Sequence, residues 1–236
     1  MKSIGKVTIL MILIILITLG GVYFLKLFDI NSGPLTRIVP FLSMVFTTIV
    51  FLKLIDKKNF SDIGLHRFIS VLDYCGIFIL FALMPLILGI VISKGVHLIK
   101  PIDITFITTV AYCFVIGFSE ELLCRGYIYN TISVNKLKIV ISALAFAGFH
   151  FISPEFNIIL FVLYFIFGVT KAYMFKMIKN LWPLIIFHMI WDLAATYTDF
   201  YSNPIINLLC LAITVILIRL ITIMKSRSSQ KSIKEI

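Results

Sequence analysis

Residues 7–25 read Val-Thr-Ile-Leu-Met-Ile-Leu-Ile-Ile-Leu-Ile-Thr-Leu-Gly-Gly-Val-Tyr-Phe-Leu, nineteen positions without a charge. A helix needs about 20 apolar residues to cross the hydrocarbon core of a bilayer, so this stretch is long enough to span one. Lys2 and Lys6 precede it as they would in a signal peptide, but the apolar run is too long and no small-x-small cleavage site follows. It reads as an uncleaved first span. The same ruler applied outward gives seven more candidate spans: Ile38–Ile55, Phe68–Ser93, Ile104–Leu123, Ile139–Phe151, Ile158–Met177, Leu181–Thr196 and Pro204–Met224. The fifth and seventh spans are short and carry polar groups.

Composition supports that reading. Of 236 residues 61% are hydrophobic and 14% charged, against about 25% charged in a soluble domain. A soluble chain of this size buries only about 70–75% of its surface, which leaves too much apolar surface for water. The expected fold is all-α, a polytopic membrane helical bundle of about eight transmembrane helices. Residues 1–103 hold N-terminal transmembrane helices, 104–196 a core with most of the polar motifs, and 197–236 a last transmembrane helix and a basic tail. Turn-rich breaks such as Asp29–Pro34 and Asp56–Asn59 separate the spans, and no internal repeat is present.

Basic residues near the spans set the orientation, because positive loops stay in the cytoplasm. With the N-terminus inside and eight spans, fifteen Lys and Arg fall on inside segments, among them Lys53, Lys57, Lys58, Lys136, Lys138, Lys171, Lys176 and Lys179. Four fall outside: Lys26, Arg37, Lys94 and Lys100. Both termini are then cytoplasmic in a multi-pass cell-membrane protein. The net charge of +10 reflects anchoring to anionic membrane lipids, with no nucleic-acid partner implied. Cys75, Cys113, Cys124 and Cys210 include no CxxC pair and indicate neither a zinc ribbon nor a disulfide framework. The tail 225–236 has no Cys and so no prenylation box.

Ionisable groups inside spans are costly and mark function. Here they are Asp73, Glu120, Glu121, Arg125, His150, His188, Asp192 and Arg219. Glu121 and Arg125 are four apart and share a helix face, while Glu120 points about 100° away. One acid is thereby neutralised and the other is left to act as a base. His150 closes the fifth span, and His188 and Asp192 stack one turn apart in the seventh. Each feature alone has a plain structural explanation: an interfacial charge cluster, a helix-end histidine, a His–Asp hydrogen bond. Three spans that each carry polar groups into hydrocarbon are cheapest when those groups meet in one cavity. Water beside a carboxylate and two imidazoles there has the parts of a hydrolytic site.

The ordered set Glu-Glu-x-x-x-Arg (Glu120, Glu121, Arg125), Phe-x-x-x-His (Phe146, His150) and His-x-x-x-Asp (His188, Asp192), with Asn180-Leu181-Trp182-Pro183 leading into the last, resembles the CPBP family. That family comprises CAAX prenyl proteases type 2 and bacteriocin-processing or self-immunity (Abi) membrane proteins. The resemblance covers about residues 106–195. It implies an intramembrane endopeptidase open toward the cytoplasm, acting on a peptide or a lipidated protein in peptide maturation. It implies Glu120 as general base assisted by His150, Glu121 held by Arg125, and His188 and Asp192 facing the oxyanion. Prenyl proteases of the family usually carry Asn at the last position. Asp192 donates only when protonated, and otherwise orients His188.

Metal is not expected as a cofactor, although two His and several carboxylates leave zinc open; no His-Glu-x-x-His helix is present. Cys124 reads as packing rather than as a nucleophile, Asp73 as a structural hydrogen bond and Arg219 as a snorkelling residue. Trp182 and Tyr173 read as interfacial aromatics. The competing function is a non-catalytic immunity or regulatory membrane protein that binds a peptide or sensor partner through the same cavity. A transporter is weakened by the absence of repeats.

Overall fold

The computed structural model describes residues 2–30, 33–66, 98–152 and 157–199, with scattered helical positions between 208 and 223. Helix α1 (Lys2–Leu27) buries one narrow stripe, Val7, Leu10 and Ile14, spaced three and four apart on one face. Ile9, Leu16, Leu19 and Phe24 are exposed. In water that surface would be a large apolar patch; in a bilayer it is the outside of a span. The polar groups show the converse, with Thr47, Thr48, Glu120, Glu121, Arg125, Lys171 and His188 all buried.

Helix α2 (Gly33–Val50) packs on α1 and runs into a π-helical turn, Phe51–Ile55, where the Asp56 N–H bonds Phe51 O at 2.9 Å. Helix α3 (Thr105–Glu121) continues through a second π-helical turn, Leu122–Ile128, and a final turn, Tyr129–Thr131. A π turn closes i to i+5 and disturbs the regular pairing of carbonyls. Side chains answer that need. Ser142 Oγ donates to Cys124 O at 2.9 Å, and Asn130 Nδ2 donates to Gly126 O at 2.7 Å. Helix α4 (Asn135–Phe149), α5 (Ile158–Ile178) and α6 (Trp182–Tyr197) complete the described core, with α4 against α5 and α6 against α3. Among the described residues no strand forms; Leu98 and Thr198 make an isolated bridge.

The all-helical membrane class holds, with differences in detail. Among the described residues four helices are long and apolar enough to cross a membrane: Ser3–Leu27, Leu35–Ile55, Thr105–Thr131 and Ile158–Ile178. The fifth and seventh expected spans correspond to α4 and α6, of 15 and 16 residues. At 1.5 Å per residue they reach about 22–24 Å, short of the roughly 30 Å core. The third expected span and Asp73 lie outside the described residues, as does most of the eighth. The fourth was expected to stop at Leu123; because the helix continues to Thr131, Glu120 and Glu121 sit near the middle of a 27-residue span. Lys171, counted above with the inside loops, is instead buried within α5.

Two close helix approaches set the site. A Cβ on Gly117 of α3 would lie 3.1 Å from Ile185 O and 3.2 Å from His188 Cβ, so its bare Cα lets α6 come near. A Cβ on Gly168 of α5 would lie 2.8 Å from Ala143 Cα of α4.

Candidate active site

Glu121 stands at the centre. Its side chain is fully buried, and its Oε1 is met by Arg125 Nη1 at 3.2 Å, Lys171 Nζ at 3.2 Å and His188 Nδ1 at 3.0 Å. Arg125 also donates from Nη2 to Gly168 O at 3.1 Å, tying α3 to α5. A carboxylate held by two cations accepts hydrogen bonds and has no proton to donate. Nδ1 of His188 is therefore the protonated nitrogen of that contact.

The other ring nitrogen faces two acids. His188 Nε2 is 3.7 Å from Glu120 Oε2 and 3.6 Å from Asp192 Oδ2, both beyond hydrogen-bonding distance. A lone pair directed between two carboxylates is repelled by both. The arrangement requires a proton on His188, Glu120 or Asp192. Glu120 is 5% exposed, and its Oε2 has no hydrogen-bond partner among the described residues. A buried carboxylate oxygen in that state demands a water or a ligand group.

A cavity of about 510 Å³ opens on this cluster, with His150, Tyr164, Lys171, His188 and Asp192 as its titratable lining. His150 follows the last residue of α4. Its Nδ1 donates to Phe146 O at 2.9 Å and its ring stacks on Tyr164 with centroids 3.8 Å apart. A carbonyl only accepts, so Nδ1 carries the proton and Nε2 keeps its lone pair, the state of a competent base. Phe146 is the common floor. The Arg125 guanidinium and the Lys171 ammonium lie 4.5 and 4.9 Å from its ring centre, and the His150 and His188 rings flank it at 5.1 and 5.8 Å.

All six residues singled out from the sequence fall in or against this cluster, with two changes of partner. His188 donates its hydrogen bond to Glu121, on another helix, and stays outside bonding distance of Asp192. Glu120 lies against His188 rather than among the cavity's lining residues, and no contact joins it to His150 among the described residues. Lys171 was missed. Its signal was present: a lysine seven positions before the end of an apolar helix meets the same criterion that selected Glu120. Cys124 is fully buried, and Arg219 is exposed. Among the described residues no group of three or more His, Cys, Asp or Glu is arranged to hold a metal ion.

Three motif segments meet in one cluster, and the comparison with known families falls on the same stretch of chain. Residues 102–194 match the family model of type II CAAX prenyl endopeptidases, Rce1-like. The matched stretch contains Glu120, Glu121, Arg125, His150, His188 and Asp192, as well as Lys171 and Gly168. It agrees with the CPBP resemblance of the motifs. By its description that family is one of endopeptidases. No curated protein and no solved structure gives a significant match.

Proposed function

We propose that the chain is an intramembrane endopeptidase of glutamate type, hydrolysing a peptide bond in a small hydrophobic, amphipathic or lipidated substrate. The observation that carries the reading is Glu120 Oε2, buried and without a hydrogen-bond partner among the described residues, 3.7 Å from a His188 ring that Glu121 holds fixed. Water bound there loses its proton to Glu120 as its oxygen attacks the scissile carbonyl carbon. The same proton then passes to the amide nitrogen as the C–N bond breaks. His150, with Nε2 unprotonated, assists from across the cavity, and Glu121 with Arg125 positions His188. Asp192 shares the proton held near His188 Nε2. Leu160, Leu163, Phe167 and Trp191 line the same cavity, which suits an apolar substrate segment.

A metal-free mechanism fits the charges, since Arg125 and Lys171 oppose a divalent cation at this point. In this reading the core 104–196 is the catalytic part of one eight-helix, multi-pass domain of the cell membrane, with both termini cytoplasmic. The deciding test is Glu120→Ala in cells. Precursor processing should stop while protein level and membrane insertion stay normal. Processing that survives Glu120→Ala combined with His150→Ala would make the chain a peptide-binding immunity or regulatory protein.

A further inference from the structure

We propose that Lys171 is a catalytic residue, its ammonium donating to the oxyanion of the tetrahedral intermediate. The inference rests on the hydrolytic reading above and adds to it the source of transition-state charge stabilisation.

Glu121 Oε1 draws two cations to one oxygen. One cation suffices to balance Glu121, and Arg125 already sits at 3.2 Å from its Oε1. Lys171 brings a second, although a lysine within a span is costly. The two cations are not equivalent. Arg125 is wholly buried and ties one N–H to Gly168 O, whereas Lys171 lines the cavity. The ammonium lies 3.2 Å from Glu121 Oε1 and 4.9 Å from the centre of the Phe146 ring, two contacts that fix its place. Of its three N–H bonds, the ion pair with Glu121 engages one, and among the described residues no acceptor meets the other two.

Elimination among the titratable lining residues points the same way. His150 uses its N–H on Phe146 O and turns a lone pair outward. His188 uses its Nδ1–H on Glu121. Asp192, when ionised, only accepts. Lys171 is the one lysine or arginine in the lining, and its ammonium adds a fixed charge to the Tyr164 hydroxyl and the proton held near His188 Nε2 as donors. When water adds to the carbonyl carbon, the C=O π pair moves onto oxygen, and the developing anion meets that fixed cation. The ammonium keeps its proton throughout; the water's proton travels through Glu120 to the leaving nitrogen.

The experiment uses the full-length protein in lipid, an internally quenched apolar peptide chosen as the best-cleaved of a panel, and the phosphinate analogue of that peptide. The phosphinate carries a fixed oxyanion. Lys171→Met should lower kcat about 10²–10³-fold with KM within about twofold, and should weaken phosphinate binding by a similar factor. Adding Asp192→Asn, which supplies a neutral amide donor, should recover at least about tenfold of the lost kcat. If Lys171→Met does not fold, Lys171→Arg keeps Glu121 neutralised while displacing the donors, and kcat and phosphinate affinity should fall together. A lowered kcat with unchanged phosphinate affinity, or an unchanged kcat, overturns the role of Lys171. Loss of cleavage in Glu120→Gln alongside either result leaves the hydrolase standing; cleavage that persists in Glu120→Gln removes both.

Discussion

His188 Nδ1 lies 3.0 Å from Glu121 Oε1, a contact between α3 and α6 that makes the two neighbouring glutamates chemically unequal. Glu121 Oε1 is met by Arg125, Lys171 and His188 while its Oε2 has no hydrogen-bond partner among the described residues, whereas Glu120 Oε2 has none there and no cation closer than His188 Nε2 at 3.7 Å. One residue is thus a structural anion and its neighbour a reactive one.

The inequality predicts opposite outcomes for two conservative substitutions. Glu121→Gln leaves two buried cations facing a neutral amide, and breaking a buried pair in this way costs about 3–5 kcal/mol. Glu120→Gln removes a buried charge that no protein group compensates, so stability should hold or rise slightly. Both variants should lose cleavage. Thermal unfolding in detergent separates them: a large drop in Tm for Glu121→Gln and none for Glu120→Gln. Equal drops would contradict the division of labour.

Much of this site was legible because helix periodicity is short-range. The four-residue spacing of Glu121 and Arg125 became an ion pair as expected. The same rule misled at His188 and Asp192: they do stack, yet the ring bonds across helices to a residue 67 positions away. No local pattern encodes that choice, since it depends on how closely Gly117 lets α6 approach. The π-helical turn after Glu121 was likewise hidden, because its carbonyls are satisfied by Ser142 and Asn130 from other turns of chain. Lys171 was readable as a buried charge but was assigned to a loop, because a charge bias counts lysines without asking whether their helix has ended.

The close contacts at glycine give a packing prediction. Gly168→Ala forces a Cβ to 2.8 Å from Ala143 Cα, and backbone must move, at about 1–3 kcal/mol. The shift also carries the Gly168 carbonyl away from Arg125 Nη2, so cleavage should fall together with Tm. Gly20→Ala in α1 meets nothing within 4 Å and should be neutral or stabilising by up to about 1 kcal/mol. Matching losses in the two variants would show that helix propensity, not helix approach, governs position 168.

Acid stability should depend on Asp56, just past the end of α2. Lys6 pairs with its Oδ1, and Tyr127 donates to Oδ2 at 2.8 Å. Partial burial pushes the carboxyl's pKa up. The hydrogen bonds from Lys6 and Tyr127, with the charges of Lys6 and Lys58, outweigh it and leave the pKa below the ordinary value. A group depressed in the folded state stabilises fully above its unfolded pKa of about 3.9, and that contribution is lost as pH falls through the lower folded value. Wild type should therefore be more stable than Asp56→Asn at pH 6–7, with the gap closing below roughly pH 3. Chemical denaturation across pH measures it, and a gap that widens toward acid would reverse the sign.

Metal removal offers the last discrimination. The acids near His188 Nε2 could attract a divalent cation, but Arg125 and Lys171 sit on the same cluster, and two unit charges about 4 Å apart repel by roughly 4 kcal/mol at an effective dielectric of 20. A doubly charged ion would meet that repulsion twice over, whereas a neutral water meets none. Cleavage by purified protein should therefore survive prolonged dialysis against a strong chelator, and added zinc should leave the rate unchanged or lower it by occupying Glu120 and Asp192. A chelated preparation whose activity falls and returns only on adding zinc would replace glutamate-activated water with metal-activated water. The same residues would then hold the ion, and Lys171→Met, by relieving the repulsion, would tighten zinc binding, a change that calorimetry on Lys171→Met beside the wild type reads directly.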